Sequence, residues 1–88
     1  MHMKNFRKFF KKNSGTEYWI PIHDVVITYD FQLSSPRREK FNWKERDFIK
    51  NGIIGKIILN NNFELIDGYC TYLVLKKHGF DKIPVWFE

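Results

Sequence analysis

The sequence is short of the features that mark several large protein classes. It holds one cysteine among 88 residues, which rules out an internal disulfide and favours a reducing cytoplasm over a disulfide-stapled secreted scaffold. Its longest apolar run, Tyr69 to Leu75, includes Thr71 and is far shorter than the roughly 18 residues of a membrane span. Repeats, low-complexity stretches and an interdomain linker are also lacking, and an aromatic content of 18% is too high for a disordered chain. The sequence therefore predicts one small cytoplasmic domain with a packed core.

Acidic residues are absent from residues 1–12, and this absence locates the net charge of +5. The charge of this segment is carried by Lys4, Arg7, Lys8, Lys11 and Lys12. These side chains are candidate nucleic-acid-binding residues, because a basic arm neutralises phosphates. Two other interpretations stay open, namely an amphipathic helix with Phe6, Phe9 and Phe10 on one face, and a solubilising turn docked through those rings. We divide the chain into a basic aromatic arm at 1–15, whose first residues resemble a cloning remnant, and a domain at 16–88.

Five short runs predict strands, because each is rich in β-branched or aromatic side chains and is bounded by turn residues. The runs are Tyr18–Ile22, Val25–Thr28, Ile57–Leu59, Phe63–Ile66 and Ile83–Phe87. Three asparagines, Asn60 to Asn62, separate the third run from the fourth. Residues 56–66 therefore predict a β-hairpin, with a turn that uses the tolerance of asparagine for positive φ.

Two longer segments predict helices. Ser34-Ser35-Pro36 predicts the start of the first, with a serine cap and a proline in the first turn. Asn42 and Glu45 form a second capping pattern, so one bent helix or two short ones fit, and Asn51-Gly52 predicts the end. One face of this helix is predicted to hold Phe41, Glu45, Phe48 and Ile49.

The second helix is expected from about Gly68 to His78, capped by Asp67 and ended by Gly79. Its apolar positions follow helical spacing and are Tyr69, Tyr72, Leu73 and Leu75. The order of the elements predicts a mixed α+β fold with about five short strands and two main helices.

The joint between the fourth strand and the second helix is the most informative stretch for function. The strand ends in Asp67-Gly68 and opens directly into a helix, so unpaired backbone N–H groups and the positive helix end meet at one place. Gly68 permits close approach of a ligand to the backbone. The joint therefore predicts an anion site, suited to phosphate, although many strand-to-helix joints share this pattern without binding a ligand.

From about Trp19 to Phe87 the chain resembles the ParB amino-terminal domain, of the ParB/sulfiredoxin fold. The matching pieces, in order, are Ile20-Pro21-Ile22, Pro36-Arg37-Arg38 with Lys40, Asn51-Gly52, Lys56-Ile57-Ile58-Leu59, Leu65-Ile66-Asp67-Gly68, Tyr72-Leu73, Lys76-Lys77, Gly79 and Ile83-Pro84-Val85. The resemblance implies a ParB/sulfiredoxin-like domain in which Gly68 opens a nucleotide-phosphate loop. It also implies a nucleoside triphosphate with magnesium as the candidate ligand.

The chain departs from that family at the residues after the glycine. The family usually continues with an acid or histidine and one or two arginines, or with Gly-Cys-His-Arg in sulfiredoxin, whereas this chain has Tyr69, Cys70 and Thr71. Arginine grips phosphate oxygens bidentately, so we expect a weaker phosphate site without catalysis in the style of either relative. The predicted phosphate-binding residues are Gly68, Tyr69, Cys70, Thr71, Arg37 and Arg38. The basic cluster of Arg37, Arg38 and Lys40 at the helix start either replaces the missing charge or is surface charge of the first turn. The arginine-rich box and helix-turn-helix that follow the domain in ParB find no match, so we expect no operator reading.

Other chemistry-bearing residues have two interpretations each. Cys70, at a helix start, is either a low-pKa thiolate or an ordinary half-buried cysteine. The histidines are too scattered to predict a metal site, so His78 is expected to cap a helix end and His23 to face solvent. Trp43 and Trp86 are expected in the core or half-buried. Tyr69 fits a base-stacking residue or a core ring equally well.

Three functions remain open at this stage. The first is a stand-alone ParB-like domain that binds a nucleotide or nucleic acid without turnover, as an accessory protein of a mobile element. The second is a nucleotide-dependent phosphotransferase or nuclease of the same fold, against which the missing arginines and the lack of an acid–base pair argue. The third is a protein-interaction module or inhibitor that uses the Phe-rich arm and exposed aromatics.

Overall fold

The structure, a computed structural model, describes residues 15–53 and 55–88. Within these ranges four strands and three α-helices form a mixed α+β unit, which confirms the predicted fold class. The strands are β1 (Tyr18–Pro21), β2 (Ile58–Leu59), β3 (Leu65–Asp67) and β4 (Lys82–Phe87). The helices are α1 (Tyr29–Leu33), α2 (Arg38–Asn51) and α3 (Tyr69–Lys77), and a 3-10 turn covers Ile22–Asp24. None of the helices in the described ranges is long and apolar enough to cross a bilayer.

The last strand organises the sheet, whose order is β1-β4-β2-β3. β4 pairs antiparallel with β1, where Ile20 lies opposite Ile83, and parallel with β2, where Leu59 lies opposite Phe87. β2 and β3 form the predicted antiparallel hairpin. Because β4 pairs on both edges, it lies inside the sheet, and its residues Ile83 and Val85, which share one face of the strand, are fully buried in the core.

The core combines strand residues with one face of α3. Leu59, Leu75, Ile83 and Val85 are 0% exposed, and Tyr72 and Leu75 of α3 belong to the same cluster as the strand side chains. Helical spacing places Tyr72 and Leu75 one turn apart on one side, as the sequence predicted. The sheet and α3 thus form two layers around one core.

The hairpin turn uses asparagine in a different way from the prediction. The Asn60 side-chain oxygen accepts hydrogen bonds from the backbone N–H groups of Asn62, at 2.9 Å, and Glu64, at 3.0 Å. None of the three asparagines has positive φ. Phe63 does, at 64°, and it is the only non-glycine residue with positive φ among those that the structure describes. Burial of the Phe63 ring in the core outweighs the local cost of that conformation, because the side chain is 2% exposed.

The prediction of a strand at Val25–Thr28 is wrong. Within this segment only Val26 takes part in β-pairing, through an isolated parallel bridge to Glu64. Thr28 is already the N-cap residue of helix α1. Local β-branched propensity predicts a strand here, but the sheet offers this segment a single bridge, and the chain then turns into the helix. Helix α1 has no counterpart among the elements predicted from the sequence.

The prediction for the start of the long helix also needs correction. α2 is one continuous helix that begins at Arg38, after Arg37 as N-cap, and no side chain caps it. Ser34 instead ends α1, so the serine–proline segment connects two helices rather than capping one. The end of α2 at Gly52, with φ of 83°, is as predicted.

The faces of α2 follow the prediction only in part. Phe41, Glu45 and Phe48 are partly buried, whereas Ile49 is 67% exposed. The placement of Trp43 in the core or half-buried is wrong, because this side chain is 66% exposed, while Trp86 is half-buried as expected. α2 therefore presents an aromatic ring to solvent.

The C-terminal end of α3 is tied to α2. Glu45 Oε2 lies 2.8 Å from Lys77 Nζ and 2.8 Å from His78 Nε2, and the His78 ring packs on Phe48 with ring centroids 5.0 Å apart. The hydrogen bond from Lys77, then that involving His78, lowers the pKa of the Glu45 carboxyl. His78 is the C-cap residue of α3, as predicted.

Candidate anion-binding site

A cavity of about 370 Å³ opens beside the predicted joint. It lies where the end of β3 and the start of α3 meet the segment between α1 and α2. Among the described residues its walls are Phe31, Ser34, Pro36, Lys40, Lys44, Gly55, Lys56, Asp67, Gly68, Tyr69, Cys70 and Thr71. The structure thus brings together Gly68, Tyr69, Cys70 and Thr71, four of the six predicted phosphate-binding residues.

Gly68 has a backbone position that only glycine fits. It is the N-cap of α3 in the left-handed conformation, with φ of 91° and ψ of 24°. A β-carbon there would stand 2.8 Å from the Ile57 α-carbon and closer still to the Lys56 carbonyl oxygen. The glycine therefore lets the chain turn from strand to helix while it lies against the backbone of Lys56 and Ile57.

Asp67 does not cap the helix, contrary to the prediction. It is the last residue of β3, and no side chain caps the start of α3. Its Oδ1 instead accepts the N–H of Gly68 at 2.9 Å, which holds the carboxylate at the joint.

The start of α3 points its backbone donors at the cavity. Tyr72 donates its N–H to the Gly68 carbonyl at 2.9 Å, so the N–H groups of Tyr69 and Cys70, at the start of the helix, have no acceptor one turn earlier within it. Tyr69, Cys70 and Thr71 line the cavity at this end. Together with the helix dipole, they make the cavity electrostatically favourable for an anion.

Two lysines of α2 supply positive charge to the cavity. Lys40 and Lys44 are four residues apart, hence on the same helix face, and both line the cavity. Lys44 Nζ and Thr71 Oγ1 lie 3.5 Å and 3.3 Å from the point where a β-carbon on Gly55 would stand. This places the Lys44 ammonium beside the first turn of α3.

Arg37 and Arg38 do not line the cavity. Arg37 is the N-cap of α2, Arg38 is its first residue, and both are exposed. Their role in phosphate binding stays a prediction, whereas the structure places Lys40 and Lys44 at the cavity. The four-residue spacing of Lys40 and Lys44 indicates in the sequence that both lie on one face of a helix. Only the packing of α2 against α3 shows that this face borders the joint.

Solved structures provide the comparison for this arrangement. No protein-family model and no curated protein matches the sequence. A structure of the C2221 form of a pNOB8-like ParB N-domain superposes with a TM-score of 0.70 over 82% of this chain, at 25% identity. This chain folds as a ParB amino-terminal-like domain.

Two further structures share the fold of this ParB-like domain. A second pNOB8-like ParB N-domain structure gives a TM-score of 0.67 over 82% of the chain at 24% identity. The C-terminally truncated chromosome-partitioning protein ParB from Caulobacter crescentus, complexed with CTP-gamma-S, gives 0.67 over 84% at 14% identity. The matched region spans 29%, 26% and 44% of the three neighbours' own chains.

Cys70 of the ParB-like domain is buried, at 8% exposure. Burial raises the pKa of its thiol, and the positive charges of Lys40 and Lys44 oppose only part of that rise. The hypothesis of a low-pKa thiolate is therefore wrong, and the cysteine lines the cavity as a protonated, largely apolar group.

Tyr69 packs within the fold while it borders the cavity. Its ring lies 5.4 Å from that of Phe31 and 6.2 Å from that of Tyr72, nearly parallel to the latter. These contacts fix the ring between α1 and α3. Tyr69 thereby forms a half-buried wall of the ParB-like domain.

The remaining predicted residues lie away from the cavity or outside the described ranges. His23 is exposed, as expected, and no group of three or more metal-binding side chains occurs among residues 15–53 and 55–88. The basic arm with Lys4, Arg7, Lys8, Lys11 and Lys12 lies outside the described residues, so its role in nucleic-acid binding stays a prediction.

Proposed function

We propose that this ParB-like domain binds the phosphate groups of a nucleotide in the cavity beside Gly68 and does not turn the nucleotide over. The observation that carries the proposal is the convergence of the α3 N-terminus with Lys40 and Lys44 on one cavity. Backbone N–H groups and ammonium groups that line one cavity are complementary to an oxyanion within it.

The lysines explain how a phosphate site persists without the family's arginines. An ammonium group is a point charge with freely rotating donors, whereas a guanidinium forms two parallel hydrogen bonds with a phosphate. Lys40 and Lys44 therefore supply attraction with less geometric selection. We expect affinity lower than that of an arginine-based site and modest discrimination between diphosphates and triphosphates.

The Asp67 carboxylate sets the expected dependence on magnesium. Asp67 lines the cavity and its charge opposes binding of a free phosphate. A magnesium-bound nucleotide carries less negative charge and prefers oxygen ligands such as carboxylates. We therefore expect the magnesium form of a nucleoside triphosphate to bind better than the free form.

The ligand class is supported by one of the structural neighbours. The Caulobacter crescentus ParB structure, with the same fold, is a complex with CTP-gamma-S. We therefore propose a nucleoside triphosphate as the ligand, with cytidine triphosphate as the first to test.

The absence of turnover is proposed from the chemistry of the walls. Among the described residues that line the cavity there is no histidine, and Asp67 is the only carboxylate. That carboxylate accepts the Gly68 N–H, and the Cys70 thiol is buried with a raised pKa. The cavity therefore lacks a paired acid and base for phosphoryl transfer.

Titration calorimetry with CTP, ATP, GTP and their diphosphates, with and without magnesium, tests the proposal. We expect one triphosphate to bind, and K40M/K44M to weaken its binding roughly 10²- to 10⁴-fold, since each of two charged hydrogen bonds contributes about 1.5–3 kcal/mol. Lys50→Met is the matched control, because Lys50 is on α2 but not at the cavity. Unchanged affinity in the double variant, or equal loss in the control, would contradict the site, and release of a diphosphate would contradict the absence of turnover.

A further inference from the structure

The solvent-facing side of α2 combines one aromatic ring with two cations. Trp43, Arg46 and Lys50 are spaced by three and four residues, so they lie on one stripe of the helix. This stripe, which we call the Trp43 face, borders a shallow groove of about 270 Å³. Among the described residues the groove is lined by Trp43, Arg46, Asp47, Lys50 and Asn51.

The aromatic ring contributes little to the fold. Trp43 is 66% exposed, whereas Phe41 and Phe48 of the same helix pack inward. A single exposed apolar side chain is common on protein surfaces and needs no explanation by itself. What distinguishes Trp43 is that its neighbours in the groove are all charged or polar. The Trp43 ring is thus exposed to solvent and is surrounded in the groove by charged and amide side chains.

The charges of the groove favour an anionic partner. Within residues 15–53 and 55–88 neither Arg46 nor Lys50 forms an ion pair. The groove also holds one carboxylate, Asp47, whose Oδ1 accepts a hydrogen bond from Asn51 Nδ2 at 2.8 Å, so the two cations outweigh its single negative charge. Two cations therefore remain available beside the ring.

We infer that the Trp43 face binds single-stranded nucleic acid. A base stacks on the Trp43 indole, and the phosphates that follow it lie against Arg46 and Lys50, within about 10 Å along the helix. A duplex hides the faces of its bases, so the strand must be unpaired. RNA and DNA share the chemistry of a flat base and a phosphate backbone.

A protein partner fits the groove less well. An apolar side chain from a partner would meet one ring surrounded by charged and amide groups, without the cluster of apolar residues that forms the centre of a stable interface. Ile49, the other exposed apolar residue of α2, is not part of the groove. A stacking base with its phosphates uses both the ring and the cations.

Glu39 gives the face a direction. It is exposed one turn before Trp43, whereas the cations follow the tryptophan. Its negative charge repels a phosphate at that end. The strand therefore leaves Trp43 towards Lys50, and Glu39→Gln is expected to tighten binding.

Fluorescence anisotropy of labelled 15-mers of deoxythymidine and of uridine, titrated with the full chain, tests this inference. We expect Trp43→Ala to weaken binding about 5- to 150-fold and Trp43→Phe to retain most of it. The plot of log K against log salt concentration has a negative slope. In the double variant R46M/K50M this slope should become less negative by about 1.4, because two phosphate contacts are lost. The basic arm is retained in every variant, so its contribution cancels.

Matched controls separate the face from other sites. Trp19→Ala removes an indole that is 54% exposed on β1, away from α2, and should leave affinity unchanged. Trp43→Ala should also leave nucleotide binding at the Gly68 cavity unchanged, so failure of one site does not decide the other. Circular dichroism confirms that each variant folds.

Three results would overturn the inference. They are equal affinity of Trp43→Ala and the parent chain, loss of affinity in Trp19→Ala to the same extent, and no binding of either oligonucleotide at low salt. The last result would leave the face to a protein partner. Stronger binding to uridine than to thymidine 15-mers, or the reverse, identifies the natural strand as RNA or DNA.

Discussion

Gly68 lies against the backbone of Lys56, so that a β-carbon at position 68 would collide with the Lys56 carbonyl oxygen. This contact brings the strand-to-helix joint onto the segment that precedes β2. It explains why Asp67-Gly68 is a turn, a helix start and a cavity wall at the same time. The same packing places the first residues of α3 opposite the lysines of α2.

Gly68→Ala should destabilise the fold more than any other alanine substitution of a described glycine. The left-handed φ of 91° costs a side chain about 1–2 kcal/mol, and overpacking against the Lys56 backbone adds about 1–3 kcal/mol. Gly79→Ala is the control, because Gly79 has φ of 77° but open space around it. Urea unfolding midpoints measure both, and equal losses would show that the contact with Lys56 contributes nothing.

Leu75→Ala tests the two-layer core. Leu75 is 0% exposed in the cluster that joins α3 to the strands, so the truncation should lower the unfolding free energy by about 2–5 kcal/mol. Leu33→Ala removes the same atoms from a residue that is 68% exposed on α1, and should change stability by less than about 0.5 kcal/mol. A Leu75 loss as small as that of Leu33 would contradict the described core.

Cys70 should react slowly with thiol reagents in the folded protein. Its burial raises the pKa of the thiol, so little thiolate is present at pH 7–8 and the sulfur is also shielded. The rate of reaction with a chromogenic disulfide should rise steeply in urea. K40M/K44M removes the two positive charges that oppose the rise in the pKa of Cys70. The thiol of the folded variant should therefore react more slowly than that of the folded parent protein. Reaction as fast in the native as in the unfolded chain would disprove the burial of Cys70.

Glu45→Gln should weaken the link between α2 and α3 in a pH-dependent way. The pKa of Glu45 is lowered in the folded state from 4.5, so its contribution is fully present above that value and is lost as pH falls through the lowered pKa. Unfolding midpoints should therefore differ between the parent and the variant at pH 7, and converge as the pH falls below the lowered pKa of Glu45. Glu39→Gln, an exposed change on the same helix, serves as the control and should show no such convergence.

The local patterns of the sequence predict the hairpin, the helix ends at Gly52 and Gly79, and the joint at Gly68. Each of these depends on residues close together in the chain, such as a glycine that accepts positive φ or asparagines between two apolar runs. The hairpin and the end of α2 are confirmed. The predicted location of the positive φ within the turn is wrong, because the buried Phe63 has this conformation and the asparagines do not.

Long-range packing decides what the local patterns misjudge. Val25–Thr28 has strand propensity, but the sheet leaves it one bridge. Trp43 and Ile49 have core-like side chains, but α2 packs through Phe41, Glu45 and Phe48, so both are exposed. Of the two lysines at the cavity, Lys40 was considered only together with Arg37 and Arg38, and Lys44 was not predicted, because their spacing is compatible with any solvated helix face.

By itself the sequence determined the fold class, an α+β fold with the ParB-like order of elements, and it predicts a basic arm and a phosphate site at the glycine joint. The fold class and the joint follow from composition and from short-range rules of turns and helix ends, whereas the ParB-like order follows from the resemblance to that family. Only the tertiary structure decided which charges face the joint and which rings face water. The rotation of α2 about its axis turns Lys44 towards α3 and Trp43 towards solvent. This rotation is set by packing between side chains that are far apart in the chain, so the local sequence does not show it.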